Sequence, residues 1–174
     1  MLSIARSRIE AALAPLVGMQ LWASNRAADM QTFQFGGKRT RVLQVGPRKG
    51  QQSVVGEFAL HLQCAWRVMG PTGIIVGSAD MFRRRSDQPE SQDWDWSAVG
   101  ANRRDEAIAA WLDSRTYVVV AVHVDDAFGF TVVLSDGHSL AVFPDGSGDD
   151  ERWRLLSPGD EAPHFVVTGA GIED

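Results

Sequence analysis

A chain of 174 residues with 44% hydrophobic and 22% charged residues is large enough to bury a core as one domain, 1–174, without disulfides or metal, and its single cysteine rules out an internal disulfide. The net charge of -5 argues against nucleic acid as a partner, because that binding rests on neutralising phosphates. No apolar run reaches the length of a membrane span, which argues against a membrane partner.

The first predicted element is a helix over residues 3–14. Leu2, Ala5, Ile9, Ala12, Leu13 and Leu16 share one face at helical spacing, and Pro15 with Gly18 ends the helix. Arg6, Arg8 and Glu10 interrupt the apolar stretch that a signal peptide needs, so a cytoplasmic location is expected. From Asp29 to Val45, the runs MQTFQF and RVLQV flank Gly36-Gly37-Lys38 and predict a hairpin. Residues 48–52 read as exposed loop.

Val54 to Val68 alternates over its whole length and predicts one strand. Phe58, Leu60, Leu62, Cys64, Trp66 and Val68 face the core, while Glu57, His61, Gln63 and Arg67 face water. After Met69-Gly70-Pro71-Thr72-Gly73, the run GIIVGSAD supplies its hairpin partner, ending at Asp80. Residues 83–101, RRRSDQPESQDWDWSAVGA, show no period and predict a surface loop, of a length that in compact domains is usually functional or disordered. A second helix follows over residues 102–112, with Asn102 as N-cap, Asp105 and Glu106 in the first turn, and Ala107, Ile108, Trp111 and Leu112 as its apolar stripe.

From Thr116 to Thr168, short β-branched and aromatic runs separated by turn residues predict an antiparallel meander. Val118, Val120, Val122 and Val124 alternate with Tyr117, Val119 and Ala121, so this strand is apolar on both faces and calls for cover on both. A two-residue turn at Asp136-Gly137 would place Phe130, Val132, Leu134, Ala141 and Phe143 on one face and Val133, Leu140 and Val142 on the other. The fold class that follows is α+β: a mainly antiparallel sheet, strongly curved or in two parts, with an N-terminal helix and a second helix near 102–112 packed on it.

Two groups of residues are candidate sites. Glu57, His61 and Arg67 share one strand face and offer an acid, a base and an anion clamp, the makings of a small enzyme; the competing account is a solvated sheet face. Asp93-Trp94-Asp95-Trp96, inside the 83–101 loop, offers aromatic anchors flanked by charge, suited to binding another protein; the competing account is that both rings pin the loop to the core. The four histidines lack compact metal-ligand spacing, and the one pair that shares a face with a carboxylate, His123 with Asp125, reads as a strand end. The acidic loop from Asp145 to Glu151 starts like a calcium loop but has Leu156 where the bidentate glutamate belongs. No metal site and no cofactor are expected, since nucleotide-binding glycine motifs and a nucleophile elbow are also missing. Cys64, between Leu62 and Trp66 on the core face, is expected to be buried and inert.

The runs GEFALHLQCAWRV at 56–68, GANRRDE at 100–106, LAVFPDGSGDDERWRL at 140–155 and HFVV at 164–167 resemble a family of small uncharacterised bacterial proteins. The resemblance implies no catalytic residue; by analogy it suggests an accessory or toxin-immunity role. The functional expectation is a non-catalytic protein-interaction or immunity-type module, with a small enzyme using Glu57, His61 and Arg67 as the alternative.

Overall fold

The computed structural model describes residues 2–44, 46–89 and 93–173. Val45, at the end of the expected first hairpin, and Glu90, Ser91 and Gln92, in the expected loop, lie outside the described residues. The chain opens with α1, Leu2–Leu13, continued by a tight 3-10 turn at Ala14–Leu16 where Pro15 sits. Ile9, Leu13 and Leu16, spaced four and three apart, are wholly buried, as the apolar stripe requires.

The strands then follow as β1 Gln20–Ala27, β2 Met30–Phe35, β3 Arg39–Val42, β4 Gln52–Val55, β5 Phe58–Leu62, β6 Ala65–Gly70 and β7 Gly73–Gly77. A 3-10 turn at Ser78–Phe82 leads into the segment before α2, Arg103–Ser114. The remaining strands are β8 Tyr117–Val124, β9 Phe130–Leu134, β10 Ser139–Phe143, β11 Glu151–Leu156 and β12 Phe165–Thr168. Ten of them form one antiparallel sheet in the order β12-β11-β5-β2-β1-β8-β9-β10-β6-β7, and β3 with β4 forms a separate ribbon. The protein is α+β with an N-terminal helix, and its sheet is open.

The sheet folds back on itself. β5 and β6 lie third and ninth in the strand order, yet only Gln63 and Cys64 separate them in the chain. The two halves join side by side at a short seam, where Gln20 pairs with Val118 and Leu21 with Tyr117. Face to face, they interlock through rings: Phe33 of β2 meets Trp66 of β6 edge-on at 5.5 Å, and Phe130 of β9 meets Trp153 of β11 at 4.9 Å. One core cluster fills the space between them, and α1 and α2 both contribute to it.

Four expectations from the sequence change. MQTFQF does not pair with RVLQV: β2 lies between β1 and β5, and β3 pairs with β4. The actual hairpin partner of β2 is β1, QLWASNRA, whose polar residues hide its strand pattern. The single strand at 54–68 is three strands. Its alternation survives, with Leu60, Leu62, Cys64, Trp66 and Val68 all buried, but Gly56 and the Gln63–Cys64 corner divide it. A Cβ on Gly56 would lie 2.5 Å from the Phe35 carbonyl oxygen, so the chain passes β2 there as only glycine can.

The meander shifts by parity. A register shift between Val119 and Ala121 puts Tyr117 and Val119 inside before it and Val124 inside after it, so Val118 and Val120 face out, exposed. Cover on both faces is not needed. The Leu134 amide donates to the His138 carbonyl across a three-residue loop, Ser135–Gly137, in which both Asp136 and Gly137 have positive φ. Leu140 therefore pairs with Val132 and Val142 with Phe130, and Phe130, Val132, Leu134, Leu140 and Val142 share the core face while Phe143 turns outward. One residue of register exchanges the faces of β10.

Candidate functional site

Glu57, His61 and Arg67 do not converge. Glu57 precedes β5 and accepts a hydrogen bond from the Gly37 amide at 3.4 Å. His61 sits on the outer face of β5 between Thr32 and Arg154 in register. Burial, and then the neighbouring Arg154 charge, lowers its pKa from 6.5 to about 4, with Glu151 opposing and His164 and Arg41 reinforcing the shift. Arg154 itself is bound to Glu151 and lies 3.2 Å from His164 Nδ1. Arg67 belongs to β6 in the other half, where its guanidinium lies over Phe143 at 4.8 Å.

The remaining polar candidates resolve into turn and strand chemistry. Asp125 Oδ1 accepts from the amides of Ala127 and Gly129 and closes its own turn, and Glu151 pairs with Arg154. Among the described residues, no group of three or more His, Cys, Asp or Glu side chains is placed to hold a metal ion. No described helix is long and apolar enough to cross a membrane. Cys64 is buried, and burial followed by the charge of Asp145 pushes its thiol up to about 12.

The segment 83–101 folds back onto the start of α2 and is held there by polar contacts. Arg26, from β1, donates Nε to both carboxylate oxygens of Asp105 at 2.9 and 3.0 Å, and its Nη2 to the carbonyls of Ser97 and Ala98. The pair is enclosed, with side-chain exposures of 5% and 14%. Asp105 also accepts from the Gly100 amide, and fully buried Asn102 donates to the Trp96 carbonyl while capping α2 at the Asp105 amide. Ser86 and Arg103 both bind Glu106, and Arg85 binds Asp87 and the Gly100 carbonyl.

This frame separates the two tryptophans. Trp94 is half-buried, donates Nε1 to the Ala101 carbonyl at 2.9 Å and lies beneath Arg84. Asp95 accepts from the Ser97 amide and hydroxyl, which holds its carboxyl below the usual range. Trp96 is 38% exposed and packs against Phe82, 62% exposed, with ring centroids 5.3 Å apart. Asp93 is exposed and lines a shallow pocket with Trp94 and Asp95. Sequence reasoning misses Phe82 because it falls between the predicted strand, which ends at Asp80, and the predicted loop, which begins at Arg83; an aromatic directly before Arg83-Arg84-Arg85 is the available signal.

Two cavities flank the start of α2. The first, about 280 Å³, is bounded by Cys64, Trp66, Ser78, Phe82 and Arg104. Arg104 is 2% exposed and, among the described residues, donates to backbone carbonyls alone, those of Asp29 at 3.2 Å and Ser78 at 3.4 Å. Desolvation lowers its pKa to about 10, opposed by Asp105 and Asp29. The second, about 630 Å³, opens between α2 and strands β1 and β2, with Ser24, Arg26 and Gln31 on one wall and Asp105, Ile108 and Leu112 on the other. The geometry defines a class: an open, folded-over antiparallel sheet carrying a braced aromatic surface beside a crevice. No family model, curated protein or solved structure matches the chain.

Proposed function

We propose that this chain is a protein-interaction module that meets its partner through the Phe82–Trp96 pair and the braced 83–101 segment around it. The observation that carries this is the edge-to-face pair itself, two large rings exposed to water on a segment held by the buried Arg26–Asp105 ion pair. Exposed aromatic anchors on a preorganised support lose little entropy on binding and are where binding energy concentrates. Asp93 and Asp95, exposed on the same segment, add negative charge to it, suited to a partner surface with basic residues near an apolar pocket. An immunity-type role is the case in which that partner is an enzyme silenced by the complex. Trp94 acts in this proposal as the pin that sets the height of the segment.

The test is the double variant Phe82→Ala with Trp96→Ala. Its melting temperature should match that of the parent, while capture of a partner identified with the parent chain from its native cells should fall by about 2–4 kcal/mol. A variant that melts early, or that captures the same partner equally well, removes the surface from consideration. If the captured partner is a toxic enzyme, the parent should neutralise it and the double variant should not.

A further inference from the structure

We infer that β3 is a docking edge for an extended peptide segment in which acidic and apolar residues alternate, added to the β3–β4 ribbon as a third, antiparallel strand. The inference is independent of the Phe82–Trp96 surface and begins with where the β3 backbone points. The Leu43 amide donates to the Gln51 carbonyl at 2.9 Å and the Leu43 carbonyl accepts from the Gly50 amide at 2.8 Å, so Leu43 turns both polar groups towards β4. By the alternation of an antiparallel pair, Arg41 and Arg39, opposite Ser53 and Val55, do the same. The N–H and C=O groups of Thr40 and Val42 therefore point away from β4. The Val42 carbonyl accepts from nearby Gln44 Nε2 at 3.2 Å; among the described residues, nothing in the protein bonds to the Thr40 amide or carbonyl or to the Val42 amide. All four β3 residues are exposed, and β4 is their one strand neighbour. Such a free edge is a template for an added strand, and a two-stranded ribbon is marginal without a third.

The side chains select the occupant. Between Asp29 and Glu57 the chain carries Lys38, Arg39, Arg41, Arg48 and Lys49 and no acidic residue, although its net charge is -5. Arg39 and Arg41 share one face of β3, Thr40 and Val42 the other, and neither arginine has an acid opposite it on β4. Arg39 reaches Asp160 at 3.5 Å in an exposed pair that a docked carboxylate can replace, and no described carboxylate pairs with Arg41. On an added strand, the residues opposite Arg39 and Arg41 form the closer, non-hydrogen-bonded pairs, with Cα atoms about 4.5 Å apart, where opposite charges stabilise. On the other face Val42, 47% exposed, and Val54, 53% exposed, offer hydrocarbon to the residue between. Glu-Val-Glu fits both faces. A second copy of the chain does not, because antiparallel pairing of β3 with itself sets arginine opposite arginine. The free edge of β4 carries no charged side chain and does not select an acidic strand.

The experiment is an NMR titration of the 15N-labelled full chain with acetyl-Val-Glu-Val-Glu-Val-amide. Saturable shifts centred on Arg39–Val42, with slowed exchange of the Thr40 and Val42 amides, are expected. Two control peptides separate charge from strand pairing: one with lysine in place of both glutamates, and one N-methylated at the central valine, which can no longer donate to the Thr40 carbonyl. Each should bind about tenfold more weakly or worse. Arg39→Glu with Arg41→Glu should reverse the preference between the glutamate and lysine peptides at an unchanged melting temperature. Arg41→Glu alone, which breaks no ion pair of the fold, should weaken the glutamate peptide by about tenfold and serves if the double variant melts early. The absence of saturable shifts, or equal binding by the two glutamate peptides with and without the N-methyl group, overturns the inference. So does tighter binding of an oligothymidylate than of the glutamate peptide, which would mark a general polyanion surface.

Discussion

His61 shows how a side chain placed for one purpose acquires another. On paper it is the base of a polar triad; in the fold it is a half-buried imidazole beside Arg154, held neutral down to about pH 4. The unfolded chain binds a proton near pH 6.5, and the folded chain does not until about 4. Its contribution to stability is therefore fully present above about pH 6.5 and is lost as pH falls through about 4. After allowance for solvent screening this is worth about 1–2 kcal/mol. Urea unfolding at steps from pH 7 to 4 should show that loss, and His61→Gln should flatten it; an unchanged slope in the variant would assign it to other groups. Cys64 offers a second test at this scale. With its thiol pushed up to about 12 and its side chain buried, a bulky alkylating reagent should modify it only as fast as the protein opens. Rapid labelling of the native protein would refute its burial.

At the scale of elements, the start of α2 is the organising point. Its N-cap and first turn are readable because capping is local: Asn102 accepts from the amide three residues on, as Asn at that position should. What Asp105 does beyond its own helix is not readable, since Arg26 lies 79 positions away on a strand that the pattern does not reveal. Arg26→Met should destabilise by about 3–5 kcal/mol, because it leaves a buried carboxylate alone and strips the Ser97 and Ala98 carbonyls of their donor. Adding Asp105→Leu should restore part of that loss, and equilibrium unfolding of the single and double variants measures it. Strict additivity would mean the two side chains do not act as a pair.

At the scale of the molecule, Trp153 ties the halves of the sheet together. It is fully buried on β11, stacks edge-on against Phe130 of β9 and donates Nε1 to the Phe128 carbonyl at 2.9 Å. Trp153→Ala should cost about 3–5 kcal/mol. Because one core joins both halves, hydrogen exchange of β2 and of β9 amides should accelerate together in the variant. Loss of protection in one half alone would show that the halves are separate cooperative units.

Local chemistry determined the parts that follow a period or a cap: α1 stopping at Pro15, α2 starting at Asn102, the hairpin from β6 to β7, and the inward face from Leu60 to Val68. These depend on residues a few positions apart, so the chain states them directly. Strand order, the corner at Gln63–Cys64 and the parity shifts at Val119 and Ser135–Gly137 arose only when distant segments paired, because a hydrophobic run carries no mark of its partner. The candidate sites divide in the same way. Trp96 was legible as an aromatic among charges, whereas Phe82 and Arg26 gained their roles from neighbours that only the folded sheet brings to them.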